Sequence, residues 1–187
     1  MINLSFNPFP EITTDRLLLR QVNNHDVNEI FFLRSDKRVM RYIDKTPAEN
    51  LDDAFEFIGK ISDLERSADA VTWAICLKED PKLIGTILFW NIKKEHYRAE
   101  VGYTLHPDYW GKGIMQEAIT AVIDYGFNVM KLHSIEANVN PGNAASIKLL
   151  ERNKFVREAY FRENYYFNGK FLDTAIYSLL KDQHNKD

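Results

Sequence analysis

The stretch "HPDYWGKGIMQEAITAVIDYGF", from His106 to Phe127, places two glycines and a lysine immediately before an apolar helical pattern. Apolar residues then recur at steps of three and four, which predicts an amphipathic helix from Gly113 onward; they are Met115, Ala118, Ile119, Val122, Ile123 and Phe127. A helix N-terminus presents unpaired N–H groups and a positive dipole end, and glycine lets a ligand approach that backbone. Gly111 and Gly113 therefore meet the physical requirements of a phosphate cradle.

Two common nucleotide-binding motifs do not fit this stretch. A Walker loop requires G-x-x-x-x-G-K-[ST], whereas here Lys112 lies between the glycines and Ile114 stands where a magnesium-binding hydroxyl is needed. A dinucleotide fingerprint, G-x-G-x-x-G, requires a third glycine where the chain has Gln116. The remaining alternative to a phosphate cradle is a plain tight turn before a helix, and the local sequence does not separate the two.

The flanking sequence predicts a sheet on both sides of this helix. "AVTWAICLK" alternates, "LIGTILFWNI" is apolar on both faces, and "AEVGYTLH" follows closely, so these three segments predict an antiparallel meander. The helix then connects "AEVGYTLH" to "HSIEANVN", and we expect these two strands to lie side by side and parallel. A helix in "NAASIKLLERN" and a long hairpin around Asn168-Gly169 complete the predicted order β α α β β β α β α β β.

The N-terminal part is predicted to form one strand and two helices. Asp15 to Val22 is short and apolar, as expected of a first strand. A helix is expected in "HDVNEIFFLRS". The residues Thr46, Pro47 and Glu49 resemble a capping box with proline at the first helical position, which predicts a second helix running to about Arg66. Its apolar side is expected to contain Leu51, Phe55, Ile58 and Ile61.

Length and composition limit the class of protein. A chain of 187 residues with 45% hydrophobic content predicts a single domain spanning residues 1–187. The net charge of -3, with no block of one sign, argues against nucleic acid as a partner. No apolar run is long enough to cross a membrane, and no metal-ligand spacing is present. The single cysteine, Cys76, and the absence of a signal-peptide pattern favour a cytoplasmic location.

Two longer segments together resemble a known family. "AEVGYTLHPDYWGKGIMQEAI" and "IEANVNPGNAASIKLLERNKF" are similar to the GNAT superfamily of acetyl-CoA-dependent N-acyltransferases, within the group of ribosomal-protein N-terminal acetyltransferases. "TDRLLLRQV" resembles the group's first strand and "NGKFLDTAIYSLL" its last. The resemblance implies an α/β (α+β) fold with a mixed, mostly antiparallel sheet of about seven strands. Helices would cover both faces, and one parallel strand pair would be splayed to bind the cofactor.

The resemblance also implies where acetyl-CoA binds. The superfamily's pyrophosphate loop, R/Q-x-x-G-x-G/A, falls on residues 110–115, with Trp110 in place of the Arg or Gln and Met115 in place of the small residue. Backbone N–H groups form most of such a cradle, so both changes are tolerable. The implied contacts are Tyr103, Thr104, Leu105, Trp110, Gly111, Lys112, Gly113, Ile114, Met115, Gln116, Asn143 and Ser146. For the last two the alternative is structural, with Asn143 capping the following helix and Ser146 as its N3 residue.

Acetyl transfer to an amine needs a neutral amine and hydrogen-bond donors for the developing oxyanion. The resemblance places Glu100 where some relatives have a catalytic glutamate, and we assign it the role of base. The alternative is a surface carboxylate paired with Lys94 or Arg98. Leu150 stands where many relatives have a tyrosine acid, which leaves Ser146 or solvent for that role.

The predicted activity is direct acetyl transfer from acetyl-CoA to a primary amine in a ternary complex, without a metal. A protein N-terminus is favoured over a lysine side chain, because its lower pKa leaves more of the amine neutral. The alternatives are a small amine, such as an aminoglycoside or a polyamine, and a non-catalytic acyl-CoA-binding module. The chain is compatible with a homodimer. The aromatic residues of "EAYFRENYYFNGKF" are predicted to pack the last hairpin rather than to line an acceptor pocket.

Overall fold

A computed structural model describes residues 2–184, in which eight strands form one sheet of order β1-β2-β3-β4-β5-β6-β8-β7. The strands are β1 Ile12–Thr13, β2 Leu17–Gln21, β3 Val71–Leu77, β4 Asp80–Lys93, β5 Arg98–Leu105, β6 Ser134–Val139, β7 Val156–Phe167 and β8 Lys170–Leu180. The α-helices are α1 Val27–Ser35, α2 Lys37–Met40, α3 Leu51–Arg66, α4 Ile114–Asn128, α5 Ala144–Arg152 and α6 Lys181–His184. None of these helices is long and apolar enough to cross a membrane.

The sheet is antiparallel except between β5 and β6. This confirms the predicted mixed sheet with one parallel pair joined through the helix after Gly113. The strand beyond the predicted seven is β1, which has only two residues. A segment that short has no alternation of apolar and polar residues by which sequence could reveal it.

The parallel pair separates along its length. Only three residue pairs join β5 to β6, and these are Arg98 with Ser134, Ala99 with Ile135, and Glu100 with Glu136. From there β5 continues to Leu105 and β6 to Val139, and no ladder joins the two strands over this part of the described chain. The divergence that the family resemblance implied therefore begins directly after Glu100.

Buried side chains form one cluster on each face of the sheet. Val71, Trp73 and Ile75 of β3 belong to the cluster that includes the apolar side of α4, whereas Ala74 and Cys76 belong to the cluster with α1 and α3. Alternate residues of a strand point to opposite faces, so the predicted alternation of "AVTWAICLK" is confirmed. Helices accordingly cover both faces.

The predicted start of α3 is wrong. The helix begins at Leu51, and the Asn50 side chain is its N-cap, accepting a hydrogen bond from the Asp53 N–H at 3.1 Å. Leu51 and Phe55 are 41% and 44% exposed, although both were placed on the apolar side. The side that packs on the sheet contains Ala54, Ile58 and Ile61, which are buried as predicted for the two isoleucines.

The hairpin between β7 and β8 turns at Asn168 and Gly169, as predicted. Both residues have positive φ angles, +48° and +82°, which is the left-handed backbone that a two-residue hairpin turn requires. This hairpin extends alongside the region where β5 and β6 diverge, because β8 pairs with β6 from Ser134 to Val139.

Candidate active site

The loop before α4 presents a row of free backbone donors. Gly111 and Gly113 have φ angles of +72° and +74°, and Gly113 is the N-cap of the helix. None of the six backbone N–H groups from Gly111 to Gln116 donates a hydrogen bond to another residue in the range 2–184. Six adjacent donors at the positive end of a helix dipole are what an anionic phosphate ligand needs.

A hydrogen-bond network fixes this loop to the segment between β1 and β2. The Glu117 carboxylate accepts from the Thr14 hydroxyl at 2.6 Å and from the Arg16 N–H and Nε at 2.8 and 2.6 Å. The Arg16 guanidinium also donates to the Lys112 carbonyl at 3.0 Å. Sequence analysis missed this network, because "TDR" was interpreted only as the start of a strand.

Two polar side chains of the loop are already used within the protein. The Trp110 indole N–H donates to the Leu105 carbonyl at 2.8 Å, and the Gln116 amide donates to Asn153 Oδ1 at 2.9 Å. Lys112 is exposed, with Nζ 5.5 Å from the Tyr109 ring centroid. Trp110 and Gln116 therefore have partners within the protein, and the backbone N–H groups and the exposed Lys112 remain to meet an anion.

A cavity of about 840 Å³ opens where β5 and β6 diverge. Five of the predicted site residues line it together: Glu100, Tyr103, Thr104, Asn143 and Ser146. Its outer walls come from α1, α3, the segment between them and the β7–β8 hairpin. Leu105 and residues 110–116 do not line this cavity and form the adjoining loop instead.

Glu100 is a buried carboxylate in the wall of this cavity. Its exposed fraction is 6%, and burial raises its pKa to about 7. The negative charge of Glu136, its pair on β6, contributes to this rise in pKa, while hydrogen bonds from Asn138 and Asn91 oppose it. A carboxylate with a pKa near neutral pH can take up and release a proton under ordinary conditions.

The alternative interpretation of Glu100 as a paired surface charge is wrong. Lys94 forms its ion pair with Asp69 at 3.2 Å, and Arg98 pairs with Glu136. Neither cation pairs with Glu100. Sequence alone did not locate Asn138, Asn91 or Glu136 around this carboxylate, because Asn91 lies in β4 and the other two lie in β6, far from Glu100 along the chain.

Ser146 lies beside Tyr103 across the opening between β5 and α5. The two hydroxyl oxygens are 2.7 Å apart, and burial raises the pKa of Tyr103 to about 12. The Asn143 side chain accepts from the Ser146 N–H at 3.1 Å, which confirms the predicted N-cap of α5. Leu150, where a tyrosine acid was considered, is fully buried in the core.

Several other polar residues have structural partners. The His106 ring accepts from the Asp108 N–H at 3.2 Å and stacks on Phe32 at 4.3 Å between centroids. The Cys76 thiol is buried, donates to the Pro81 carbonyl at 3.1 Å, and has a pKa raised to about 11 by burial. It is therefore the buried thiol that its alternating strand predicted. Residues 2–184 contain no group of three or more His, Cys, Asp or Glu placed to hold a metal ion.

The aromatic residues of the last hairpin do not all pack within it, so this prediction is wrong for Phe161 and Tyr165, whereas Tyr166 and Phe171 pair across β7 and β8. Phe161 and Tyr165 line the cavity, as predicted by the alternative that these aromatic residues line an acceptor pocket. Tyr166 and Phe171 contact each other at 5.1 Å between ring centroids but are 63% and 64% exposed. The β7–β8 hairpin thus supplies both cavity wall and exposed aromatic surface.

Comparison with known proteins places these features in a family context. The sequence matches the acetyltransferase (GNAT) domain family over residues 16–156. It is 38% identical over 171 residues to the uncharacterized N-acetyltransferase p20 of Bacillus licheniformis, covering 91% of this chain and 96% of that protein. It is 27% identical to the ribosomal protein uS5-alanine N-acetyltransferase of Escherichia coli, covering 92% and 91% of the two chains.

Solved structures agree with this assignment. A GNAT-family acetyltransferase from Bacillus anthracis superposes with a TM-score of 0.83 at 29% identity, over 92% of this chain and 99% of that one. Spermidine N-acetyltransferase from Vibrio cholerae, solved in complex with CoA and spermine, superposes with a TM-score of 0.81 at 25% identity, over 91% and 99% of the two chains.

Proposed function

This chain belongs to the acetyltransferase (GNAT) family and is an N-acetyltransferase, and from that premise we propose that it acetylates the α-amino group of a peptide. The acetyl donor is acetyl-CoA, and the amine attacks directly within a ternary complex. The observation that supports this most is the position of Glu100. It is a buried carboxylate in a cavity formed by diverging parallel strands, next to a loop with six free N–H donors.

The residues around the loop fit acetyl-CoA. Gly111 to Gln116 would hold the pyrophosphate through backbone N–H groups, with Trp110 and Lys112 at the edges of the loop. Tyr103, Thr104 and Leu105 of β5, together with Asn143 and Ser146, would hold the pantetheine arm and the acyl end. Acetyl-CoA supplies the activated acyl group as a thioester, so no further activation by a metal is required.

Glu100 acts as the base in this proposal. The incoming amine arrives mostly as an ammonium ion at neutral pH and must lose a proton before it can attack. A carboxylate with a pKa of about 7 is close to the working pH, where a general base is most effective. Glu100 takes that proton directly or through one water molecule.

The β6-facing edge of β5 supplies donors for the developing negative charge. Beyond Glu100 this edge has no ladder partner from β6 in the described chain, so N–H groups between Val101 and Leu105 are available to polarise a carbonyl. Losing one such donor costs on the order of 3 kcal/mol in comparable acyl-transfer sites. Ser146 is the nearest candidate acid for the leaving thiolate, and its hydroxyl is oriented by Tyr103.

The preference for an α-amine follows from the strength of the base. An N-terminal amine of pKa about 7.7 is neutral to roughly a sixth at pH 7, whereas a lysine of pKa about 10.4 is neutral to less than about a thousandth. A single carboxylate of pKa about 7 removes the remaining proton more easily from the first. A peptide N-terminus is therefore the better acceptor for this site.

One observation favours a second candidate, a polyamine. The Vibrio cholerae relative was solved with spermine, and three carboxylates line the cavity here, Glu100, Asp44 and Asp173. Cationic amines would find acidic partners at these positions. The acceptor assay below separates the two candidates.

The test is an acceptor panel with acetyl-CoA. Thiol release and acetylated product are measured with a peptide that has a free α-amine, with an α-blocked peptide containing one lysine, and with spermidine. We expect the free α-amine peptide to give the highest kcat/KM. Equal or better turnover of the blocked lysine peptide or of spermidine would contradict the α-amine proposal.

A further inference from the structure

Arg34 of α1 lines the cavity without a partner for its charge. Its guanidinium carbon lies 4.0 Å from the Phe57 ring centroid. Among residues 2–184, no hydrogen bond or ion pair joins this guanidinium to a protein group. The carboxylate whose charge raises the pKa of Arg34 is Asp53, and one Asp53 oxygen already accepts a hydrogen bond from the Glu49 N–H at 2.7 Å.

This arrangement is unusual for an arginine that is partly buried. A guanidinium has five N–H donors, and withdrawing them from water without an acceptor is costly. Burial accordingly lowers the pKa of Arg34 more than the charge of Asp53 raises it. By contrast, the partly buried Arg20 and Arg98 each pair with a carboxylate, Asp26 and Glu136 respectively.

The charged side chains that line the cavity allow an anion to bind beside Arg34. Lys45 and Lys60 also line the cavity, and both are exposed. Of the lining carboxylates, Asp173 already accepts from the Tyr160 hydroxyl at 2.5 Å and from the Glu163 N–H at 2.8 Å. Glu100 has its role as base. The third lining carboxylate, Asp44, interacts electrostatically with its neighbour Lys45, and Lys60 lies 3.8 Å from a Glu56 oxygen. Of the lining cations in the described chain, Arg34 is therefore the one best placed to take an anionic group of a ligand.

We propose that Arg34 anchors a carboxylate of the acceptor, so that the preferred substrates are primary amines with a carboxylate close to the amine. The planar guanidinium fork matches a carboxylate in a bidentate arrangement, and the Phe57 ring holds that fork in place. A peptide with an acidic residue after its N-terminus and a small aminocarboxylate both present this chemistry. The inference rests on the proposed function, because it takes this cavity as the acceptor site.

Matched acceptors test the preference and separate the two sources. The peptide arm compares the C-terminally amidated tripeptides Ser-Asp-Ala and Ser-Asn-Ala, of which only the first has a carboxylate. The small-molecule arm compares aspartic acid α-amide with asparaginamide. We expect the acidic member of a pair to have the higher kcat/KM by at least about tenfold, the value of one hydrogen bond to a charged group. If the acidic peptide has a larger kcat/KM than aspartic acid α-amide, the natural acceptor is a peptide. If aspartic acid α-amide has the larger value, the natural acceptor is a small aminocarboxylate.

Two variants at Arg34 and one control assign the preference to this side chain. Arg34→Met keeps packing on Phe57 but removes the charge, and we expect the acidic and neutral acceptors to become equal within about twofold. Arg34→Lys keeps the charge without the fork and should retain part of the preference. Arg41→Met is the control, because Arg41 also lies over a ring, 5.1 Å from the Tyr42 centroid, but does not line the cavity. Melting curves verify that all variants are folded.

The outcomes distinguish this inference from the proposed function. If acetyl transfer occurs but the wild type shows no preference for the acidic acceptor, or prefers spermidine, the Arg34 assignment is wrong while the acetyltransferase proposal is unaffected. The same conclusion holds if a folded Arg34→Met protein loses activity equally on acidic and neutral acceptors. If no peptide amine is acetylated at all, it is the proposed function that fails.

Discussion

At the residue scale, two buried glutamates have opposite consequences because of where they lie. Glu100 faces a cavity that can admit a substrate, so its raised pKa is useful for proton transfer. Glu65 of α3 is buried beside Gln21, whose amide donates to one carboxylate oxygen at 3.0 Å, while the other oxygen has no hydrogen-bond partner among the described residues. Burial raises the pKa of both groups. Two experiments follow from this contrast.

Replacing Glu100 by glutamine should lower kcat by about 10² or more, because the proton acceptor is lost while the size of the side chain is kept. Acetyl-CoA affinity should stay nearly constant. In the wild type, kcat/KM should fall as the pH drops below about 7, where Glu100 becomes protonated. The pH-rate profile of the variant should lack this acidic limb.

Glu136→Gln is the matched control for that experiment. It removes the neighbouring negative charge that raises the pKa of Glu100 but leaves the base in place. The acidic limb should therefore move to lower pH, with kcat retained. Wild-type kcat and an unchanged limb in the Glu100→Gln protein would show that Glu100 is not the base.

Glu65→Gln should stabilise the protein at pH 8 by on the order of 1 kcal/mol, because glutamine keeps the size of the side chain but has no charge whose burial opposes folding. The folded-state pKa of Glu65 is raised above 4.5, so the stability that its protonated form contributes is present below 4.5 and is lost as the pH rises through the folded value. The gain in the variant should accordingly be smaller at pH 4 than at pH 8.

Urea denaturation at both pH values measures this difference. Glu56→Gln is the control on the same helix, since the Glu56 side chain is 73% exposed and its pair with Lys60 is long, at 3.8 Å. It should change stability little at either pH. A loss of stability in Glu65→Gln at pH 8 would mean that the ionised carboxylate has a partner that compensates its burial.

At the element scale, the loop before α4 combines a backbone conformation that depends on glycine with a brace from the residue directly before β2. Gly113 adopts a conformation that residues with a Cβ rarely take. Arg16 and Glu117 hold the loop from the side of β2. The geometry of the free N–H groups therefore depends both on glycine and on a contact between distant parts of the chain.

Gly113→Val should weaken acetyl-CoA binding strongly, because a branched side chain at positive φ distorts the backbone whose N–H groups form the cradle. Isothermal calorimetry measures the affinity. Gly169→Val is the matched control, with a φ of +82° in the β7–β8 turn and open space around the added atoms. It should lose stability without losing affinity for acetyl-CoA. An unchanged affinity in a folded Gly113→Val protein would contradict the cradle.

At the scale of the whole molecule, the elements around the candidate site come from all parts of the chain. Arg16, directly before β2, braces the loop, β5 and β6 form the cavity, and the β7–β8 hairpin closes one wall. All of these strands belong to one sheet. Ligand binding should therefore be coupled to the stability of the entire fold, as expected if residues 1–187 form a single domain.

Thermal unfolding should show one transition that acetyl-CoA shifts upward as a whole. Saturation at a hundredfold excess over Kd should add about 2.7 kcal/mol to the unfolding free energy. Calorimetry with and without the ligand measures both the number of transitions and the shift. Two transitions, with only one sensitive to acetyl-CoA, would contradict a single cooperative domain.

The sequence by itself determined the order of the longer strands and helices, the parallel pair, the hairpin turn and the glycine loop, but it did not reveal the short elements β1, α2 and α6. These features depend on periodicity and turn chemistry, which act between residues close together in the chain. The boundary of α3 shows the limit of such reasoning, because the prediction took the cap from Thr46, Pro47 and Glu49, whereas the helix begins at Leu51 with Asn50 as its N-cap.

Only the tertiary structure decided which side chains share the site. Glu100 looked equally like a paired surface charge until the fold showed it buried beside Glu136 and Asn138. Arg34 was an ordinary helical residue in the sequence, yet it lies on the same cavity as Glu100. Burial and the pairing of charges depend on contacts between segments far apart in the chain, and a pattern within one segment contains no information about them.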